Sequence, residues 1–132
     1  MIKKFFLFVC FLTFSFSYSQ NIEIETYFRT SEKLKENYNS GDYNMIFEDF
    51  NDEMKKTLPL EKTVEFFKNL ETQLGEIIRK EFISYNKTFG VYKVSFKDVV
   101  LEFNLSLDEN SKINGLYVNE IKEELNHNQN DK

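Results

Sequence analysis

The spacing of apolar residues changes at Gly75, and this change constrains the fold more than any other feature of the 132-residue chain. Before Gly75, apolar residues recur every three or four positions, which is the period of helices that bury one face. Between Val99 and Leu107 they recur at every second position, as in a strand with one buried face. Helices followed by antiparallel strands predict an α+β domain, with N-terminal helices packed on one face of a four-stranded antiparallel sheet.

Three helices are predicted before Gly75. The first covers residues 22–38, the second continues a helical stripe over residues 43–58, and the third lies between Pro59 and Gly75. Proline suits the first turn of a helix, whereas glycine is favoured just after the end of one. Phe66 lies beside the apolar stripe of the third helix and is expected to widen its buried face.

The segment NSGDY, residues 39–43, separates the first two helices. Gly41 is well placed to adopt the left-handed conformation that follows a helix C-terminus. Asp42 is expected to cap the next helix by accepting hydrogen bonds from its free N–H groups. We therefore interpret the segment as a structural corner, and we expect Gly41→Val to cost about 1 kcal/mol or more.

Four strands are predicted after Gly75, over residues 76–85, 91–96, 99–107 and 113–118. The first mixes apolar and charged residues, so its buried face is not assigned from the sequence. The apolar residues of the last strand resume only after the Asn114-Gly115 pair, which predicts a bulge or a close backbone contact at Gly115 rather than a hairpin turn.

Residues 1–19 have the three parts of a secretory signal peptide: a basic start, an apolar run from Phe5 to Phe16, and small residues before a cleavage site. Cleavage is predicted between Ser19 and Gln20. The apolar run is shorter than the roughly 20 residues of a membrane span, which disfavours a lasting anchor. The sequence thus predicts an exported protein, periplasmic or secreted, with a domain at residues 20–120 and a polar, disordered tail at residues 121–132.

The net charge indicates which class of partner is disfavoured, and the position of the single cysteine indicates what stabilises the exported domain. Removing residues 1–19 takes away Lys3 and Lys4 but no acidic residue. The remaining chain has 15 basic and 22 acidic residues, and its net charge is −7. An acidic chain disfavours nucleic acid as a partner. Cys10 lies in the signal peptide, so the exported domain would depend on its hydrophobic core rather than on disulfides.

Four sequence features resemble the DUF3887 family: the G-D-Y corner, the FNDEM segment, the helix from Pro59 to Gly75, and the strand that contains KINGLY. The resemblance covers residues 24–118. It implies a short version of the NTF2-like, cystatin-like α+β fold and a family of unknown function. Members often precede a catalytic domain, whereas only about a dozen polar residues follow the last strand here, so a stand-alone exported member is expected.

Few residues suit cofactor or nucleophilic chemistry. The single histidine, His127, lies in the tail, which removes histidine- and cysteine-based catalytic and zinc sites from the predicted domain. An acidic cluster lacks the spacing of a calcium loop and is expected to be a solvated helix face. Its members are Glu48, Asp49, Asp52 and Glu53. No cofactor and no metal are predicted.

The predicted function is non-catalytic binding of a small apolar ligand or a protein partner, through a pocket between helices and sheet or through the sheet face. The pocket candidates are Phe28, Tyr38, Phe47, Phe67, Leu101, Phe103 and Leu105. The alternative is a small NTF2-like enzyme of isomerase or hydratase type, in which Asp98 or Glu81 is the base and Tyr38 or Tyr43 the acid.

The assembly prediction is a monomer or a weak homodimer. It rests on the outward residues of the third strand, Val100, Glu102, Asn104 and Ser106, which are more polar than the centre of an obligate interface, and on the mutual repulsion of acidic chains.

Overall fold

The computed structural model describes residues 23–121. The helices are α1 (residues 23–40), α2 (Tyr43–Glu48), α3 (Asp52–Thr57) and α4 (Leu60–Leu74). The strands are β1 (Arg79–Tyr85), β2 (Gly90–Ser95), β3 (Val100–Leu107) and β4 (Ile113–Glu120). The predicted signal peptide, its cleavage between Ser19 and Gln20, and residues 122–132 of the predicted tail lie outside the described residues.

The four strands form one antiparallel sheet in the order β1-β2-β3-β4. Tyr92 pairs with Phe103, and Val94 pairs with Leu101, so that all four side chains lie on one face. These residues and Leu105 are buried beneath the helices. The predicted α+β arrangement is therefore confirmed, as is the buried face of β3 at its centre.

The corner between α1 and α2 forms as predicted at Gly41, whose φ is 75°. The N–H of Gly41 donates to the Tyr38 carbonyl (3.1 Å), and the N–H of Asp42 donates to the Asn37 carbonyl (2.8 Å). This paired arrangement satisfies carbonyls at the end of α1 and requires the left-handed residue. Asp42 lies at the N-cap of α2, but its side chain makes no capping hydrogen bond, so its predicted role is wrong.

The single helix predicted over residues 43–58 is wrong, because the chain leaves the helical path between α2 and α3. Phe50 forms a parallel bridge with Ile113, and the N–H of Asn51 donates to the Ile113 carbonyl (2.9 Å). The Asn51 side chain then accepts from the N–H of Met54 (2.8 Å) and starts α3. The break docks the helices onto the start of β4.

Helix α4 has the predicted limits, with Pro59 at its N-cap and Gly75 at its C-cap with a φ of 77°. Phe67 is buried, and its neighbour Phe66 is not, so the expected widening of the buried face is wrong. Thr63 belongs to the buried face of α4 instead. It is fully buried, and its hydroxyl donates to the Leu58 carbonyl (3.0 Å).

Two strands carry one extra residue each. Gly115 pairs with Ser106 and Ile113 pairs with Leu107, which leaves Asn114 as the bulged residue and confirms the irregularity predicted at Gly115. In β1, Phe82 pairs with Tyr92 and Ser84 pairs with Val91, so Ile83 is the extra residue.

Candidate interaction site

The predicted pocket residues mostly form the core. Tyr38, Phe67 and Leu105 are each 1% exposed, and Leu101 and Phe103 are also buried. The cavity between α1 and the sheet measures about 10 Å³, whereas small-molecule sites span roughly 300–1,000 Å³. Such a space holds about one water molecule. The structure therefore brings these five residues together by packing and leaves no open pocket between them.

The other two pocket candidates lie away from this interior. Phe47 is partly buried and makes an edge-to-face contact with Phe50, at 6.1 Å between ring centroids. Phe28 lies on the surface of α1 with 54% of its side chain exposed.

The two tyrosines of the enzyme alternative are neighbours, with ring centroids 6.4 Å apart, whereas its two carboxylates lie elsewhere. The Tyr38 hydroxyl donates to the Gly75 carbonyl (2.8 Å), and the Tyr43 ring stacks on Phe67 at 6.2 Å. Burial raises the pKa of both phenols. Glu81 pairs with Arg79, and Asp98 is exposed in the turn between β2 and β3. Within residues 23–121, no hydrogen bond joins either tyrosine to either carboxylate.

The acidic cluster around α2 and α3 makes lysine contacts. Asp49 pairs with Lys33 at 3.0 Å, and Glu48 lies 3.8 Å from Lys55. Across the part of the chain that the structure describes, no three histidine, cysteine or acidic residues are grouped so as to hold a metal ion. None of the helices described there is long and apolar enough to cross a membrane.

A different group of residues meets between the N-terminal half of α1 and β1. Lys80 lies on the inner face of β1, and its side chain is only 6% exposed. Its ammonium group donates to Ser31 Oγ and pairs with Glu32 at 2.8 Å. The same nitrogen lies 5.0 Å from the ring centroids of both Phe28 and Tyr92, which is within cation–π range. A charged amine is thus held between two aromatic rings.

The pKa shifts of this pair follow from its surroundings. Burial lowers the pKa of Lys80, and the hydrogen bond to Glu32 opposes that shift. The hydrogen bond from Lys80 lowers the pKa of Glu32, against a smaller opposing effect of burial. Burying an amine is costly unless it is paired. The Glu32 carboxylate therefore allows Lys80 to lie under the helix.

Tyr92 adds a polar atom without a partner to the same interface. Its hydroxyl is buried and makes no hydrogen bond within the described residues. Burial is the largest cause of its raised pKa, and the neighbouring Ser31 hydroxyl opposes the shift. Ser31 Oγ itself donates to the Phe28 carbonyl (2.8 Å) and accepts from Lys80. An unpaired buried hydroxyl is uncommon and marks an incompletely satisfied interface.

Exposed apolar side chains lie beside this interface on α1 and β1. Phe28 and Ile24 project from α1, and Phe82 from β1; the exposed fractions of Ile24 and Phe82 are 40% and 47%. Ile24 and Phe82 line an open groove of about 460 Å³, together with Glu23, Tyr85 and Lys87. We give the name α1–β1 groove to this groove together with Phe28, which is exposed one helical turn after Ile24.

Tyr27 fixes the start of α1 beside this groove. Its hydroxyl donates to the Thr88 carbonyl (3.2 Å) and accepts from the N–H of Leu107 (3.0 Å). Its ring lies 5.0 Å from that of Tyr85. Gly90 permits this approach, because a Cβ there would lie 2.8 Å from the Tyr27 ring. The position of the groove is therefore set by contacts of Tyr27 with the β1–β2 hairpin and with the end of β3.

The sequence prediction included Phe28 but missed Ile24, Lys80, Phe82 and Tyr92. The signal lay in the first strand, where Lys80 and Phe82 are two residues apart and so share a face. A lysine on the same face as a phenylalanine indicates that the cation is partly buried. A buried cation needs a carboxylate partner elsewhere in the chain.

These features define a class of protein: an α+β domain with a closed core and an open aromatic groove. The family model described as "Protein of unknown function (DUF3887)" matches residues 31–116, so the chain belongs to this family. No curated protein and no solved structure matches the chain. The NTF2-like and cystatin-like descriptions stay predictions.

Proposed function

We propose that this chain is a non-catalytic, exported binding domain whose α1–β1 groove takes an extended segment of a protein partner. The segment would lie along the free edge of β1 and place apolar side chains against Phe28 and Phe82. Export rests on the sequence of residues 1–19. The binding mode is strand addition, in which main-chain hydrogen bonds provide affinity and neighbouring pockets provide specificity.

The concentration of exposed apolar residues beside β1 carries this proposal. Nine large hydrophobic residues are exposed within residues 23–121, and five of them lie on α1 or in and next to β1. These five are Ile24, Phe28, Ile78, Phe82 and Ile83. Single exposed apolar residues need no explanation, but a cluster of them indicates an interaction surface.

The edge position of β1 supplies the polar part of the surface. In the described sheet β1 pairs only with β2, so its opposite edge presents unpaired N–H and C=O groups. Proteins commonly protect such edges with charges, and β1 carries Arg79 and Glu81. Phe82, in contrast, places an apolar ring on the groove side of this edge, which suits an apolar side chain of an added strand, and its neighbour Ile83 is exposed on the other face.

An extended segment at the α1–β1 groove agrees better with the structure than a small ligand in the interior. The interior cavity of about 10 Å³ would have to expand many-fold to admit a ligand. The groove is already open to the surface and needs no such change. Among the described residues, no hydrogen bond joins the tyrosines of the isomerase or hydratase alternative, Tyr38 and Tyr43, to its carboxylates.

The proposal is tested by selecting binders from a random peptide library displayed on phage, with the purified protein as bait. We expect enriched peptides to contain apolar residues at alternating positions. Their dissociation constants, measured by fluorescence anisotropy, should rise at least about tenfold for Phe82→Ser, since an apolar anchor is lost. Bound peptide should also slow hydrogen exchange of the β1 amides that face away from β2.

Tyr117→Ser is the matched control, because Tyr117 is an exposed aromatic residue on β4, at the other edge of the sheet. It should leave peptide affinity unchanged. Circular dichroism would establish that both variants remain folded. Failure to enrich any peptide, or equal binding to the wild type and to Phe82→Ser, would refute the groove as the binding site.

A further inference from the structure

Two polar features that are costly to bury lie together beside the α1–β1 groove. The Lys80 side chain is only 6% exposed, and the Tyr92 hydroxyl is buried without a hydrogen-bond partner among the described residues. Apolar residues of similar volume often replace a buried ion pair without loss of stability. The stability of the core therefore does not account for a lysine at this position. Residues that depart from the rules of stable folding are expected mainly at functional sites.

Lys80 connects the two sides of the groove. On the helix side, its ammonium nitrogen lies 5.0 Å from the ring centroid of Phe28. On the sheet side, the same nitrogen lies 5.0 Å from the ring centroid of Tyr92. The Tyr92 ring in turn packs edge-to-face against Phe82, at 5.7 Å between centroids. One buried cation thus links the exposed rings of Phe28 and Phe82, which belong to opposite sides of the groove.

We infer that Lys80 is a positioning residue of the proposed binding site, which holds the Phe28 ring in the orientation that a partner segment contacts. The inference rests on the proposed function and adds the residue that fixes the geometry of the groove. A side chain as exposed as Phe28 changes rotamer rapidly in water, and ordering it on binding lowers affinity. A cation on the inner face of the ring restricts it before the partner binds.

The hydrogen bonds around Lys80 support this role. The ammonium group donates to Ser31 Oγ, and the Ser31 hydroxyl donates to the Phe28 carbonyl (2.8 Å). Lys80 is therefore connected to Phe28 twice, through the ring and through the backbone. The Glu32 carboxylate, 2.8 Å away, opposes the effect of burial that lowers the pKa of Lys80. It thereby maintains the cation that the ring contact needs.

The first test is made on the protein without a partner, by nuclear magnetic resonance. The ε-methylene protons of Lys80 should resonate upfield of those of an exposed lysine, because they lie near two aromatic rings. Phe28→Leu should move them part of the way back, since the Tyr92 ring remains. Lys33→Met is the matched control, because Lys33 is also on α1 but pairs with Asp49. It should leave the Lys80 resonances unchanged.

The second test measures the affinity of a peptide enriched by the phage selection. Lys80→Met should weaken binding about two- to tenfold, the cost of ordering one more side chain, while circular dichroism shows a folded protein. Phe28→Leu should weaken it too. The double variant Lys80→Met/Phe28→Leu should bind no more weakly than Phe28→Leu alone, because Lys80 acts through that ring. Lys33→Met removes an equal charge and should leave the affinity unchanged.

The outcomes distinguish this inference from the proposed function. Peptides that depend on Phe82 but bind the wild type and Lys80→Met equally would overturn the positioning role and leave the groove as the binding site. Effects of Lys80→Met and Phe28→Leu that multiply in the double variant would also overturn it, since the two residues would then act independently. Lys80 protons without an upfield shift would contradict the ring contact itself. A selection that enriches no peptide would refute both proposals.

Discussion

The two halves of helix α1 contact the same sheet in different ways. In the C-terminal half, Tyr38 packs edge-to-face against Phe67 and Phe96, and its hydroxyl donates to the Gly75 carbonyl. The N-terminal half, in contrast, exposes Phe28 and covers Lys80. The C-terminal half buries the Tyr38 ring and pairs its hydroxyl, whereas the N-terminal half retains an ion pair under an exposed ring. We call these the closed half and the open half.

This difference separates the surface that holds the fold from the surface that we propose binds a partner. Asn39 strengthens the closed half, since its amide accepts from the Ile77 N–H (2.8 Å) and donates to the Ile77 carbonyl (3.0 Å). These contacts fix the chain as it leaves α4 for β1. The open half is held mainly by Tyr27 and by the Lys80–Glu32 pair. Binding surfaces commonly come from such less stable regions.

Truncating a ring in each half should give the largest difference. We expect Phe67→Ala to lower the free energy of unfolding by about 3–5 kcal/mol, because it leaves a cavity in a packed core. Phe28→Ala should cost less than about 1 kcal/mol, since much of this ring is already in water. Urea denaturation of both variants measures the contrast. Equal losses would mean that the open half contributes to the core.

The ion pair under Phe28 gives the next largest effect. Glu32→Ala should destabilise the protein by about 1–3 kcal/mol, because it leaves the Lys80 amine buried without a counter-charge. Lys80→Met should cost less than about 1 kcal/mol, since it removes the buried charge, and Glu32 is partly exposed to water. Thermal and urea unfolding would rank the two variants. The reverse order would show that Lys80 contributes mainly through its hydrogen bond to Ser31.

The closed half was the more predictable from sequence. Gly41 and Gly75 are rare residues at the ends of regular apolar patterns. Gly41 adopts the predicted positive φ, and Gly75 ends α4 as predicted. Tyr38 and Phe67 belong to helical stripes, so their burial followed from the period. Local conformation and periodicity act within a few residues, which is why a single sequence reveals them.

The break after α2 and the open half depend on contacts between distant residues. Phe50 continues the helical spacing, and only its bridge to Ile113 ends the helix there. In the sequence, Lys80 looks like any charged residue of a strand. Its role depends on the ion pair with Glu32, which lies 48 positions earlier in the chain. Periodicity carries no information about such pairs. Contacts between residues that are distant in sequence therefore determine the features that the sequence did not predict.

Alkaline pH should weaken the fold through tyrosines in both halves. Burial raises the pKa of Tyr38 and Tyr92, and it is the largest cause that raises the pKa of Tyr85 to about 12. Above pH 10 the unfolded chain loses these protons while the folded protein keeps them, so stability falls as pH rises towards the folded values. The lowered pKa of Lys80 acts in the opposite direction up to about pH 10.5.

Urea titrations between pH 9 and pH 12 measure this loss, which reaches about 1.4 kcal/mol per pH unit for each tyrosine that titrates only on unfolding. Tyr38→Phe should remove more of the slope than Tyr85→Phe, because the hydroxyl of Tyr38 lies deeper in the fold. Stability that rises between pH 10 and pH 12 would contradict the sign.

Removing one hydroxyl from each half should have the smallest effects and the sharpest contrast. Tyr38→Phe deletes a hydrogen bond and leaves the Gly75 carbonyl without that donor, which should cost about 1 kcal/mol at neutral pH. Tyr92→Phe deletes a buried hydroxyl that has no partner, so it should leave stability unchanged within about 0.5 kcal/mol or raise it slightly. The substitution is chemically identical at the two sites, which cancels the hydrophobic difference between tyrosine and phenylalanine. Equal losses at both sites would require an acceptor for Tyr92, and Ser31 is the neighbouring hydroxyl whose replacement by alanine would then abolish the loss.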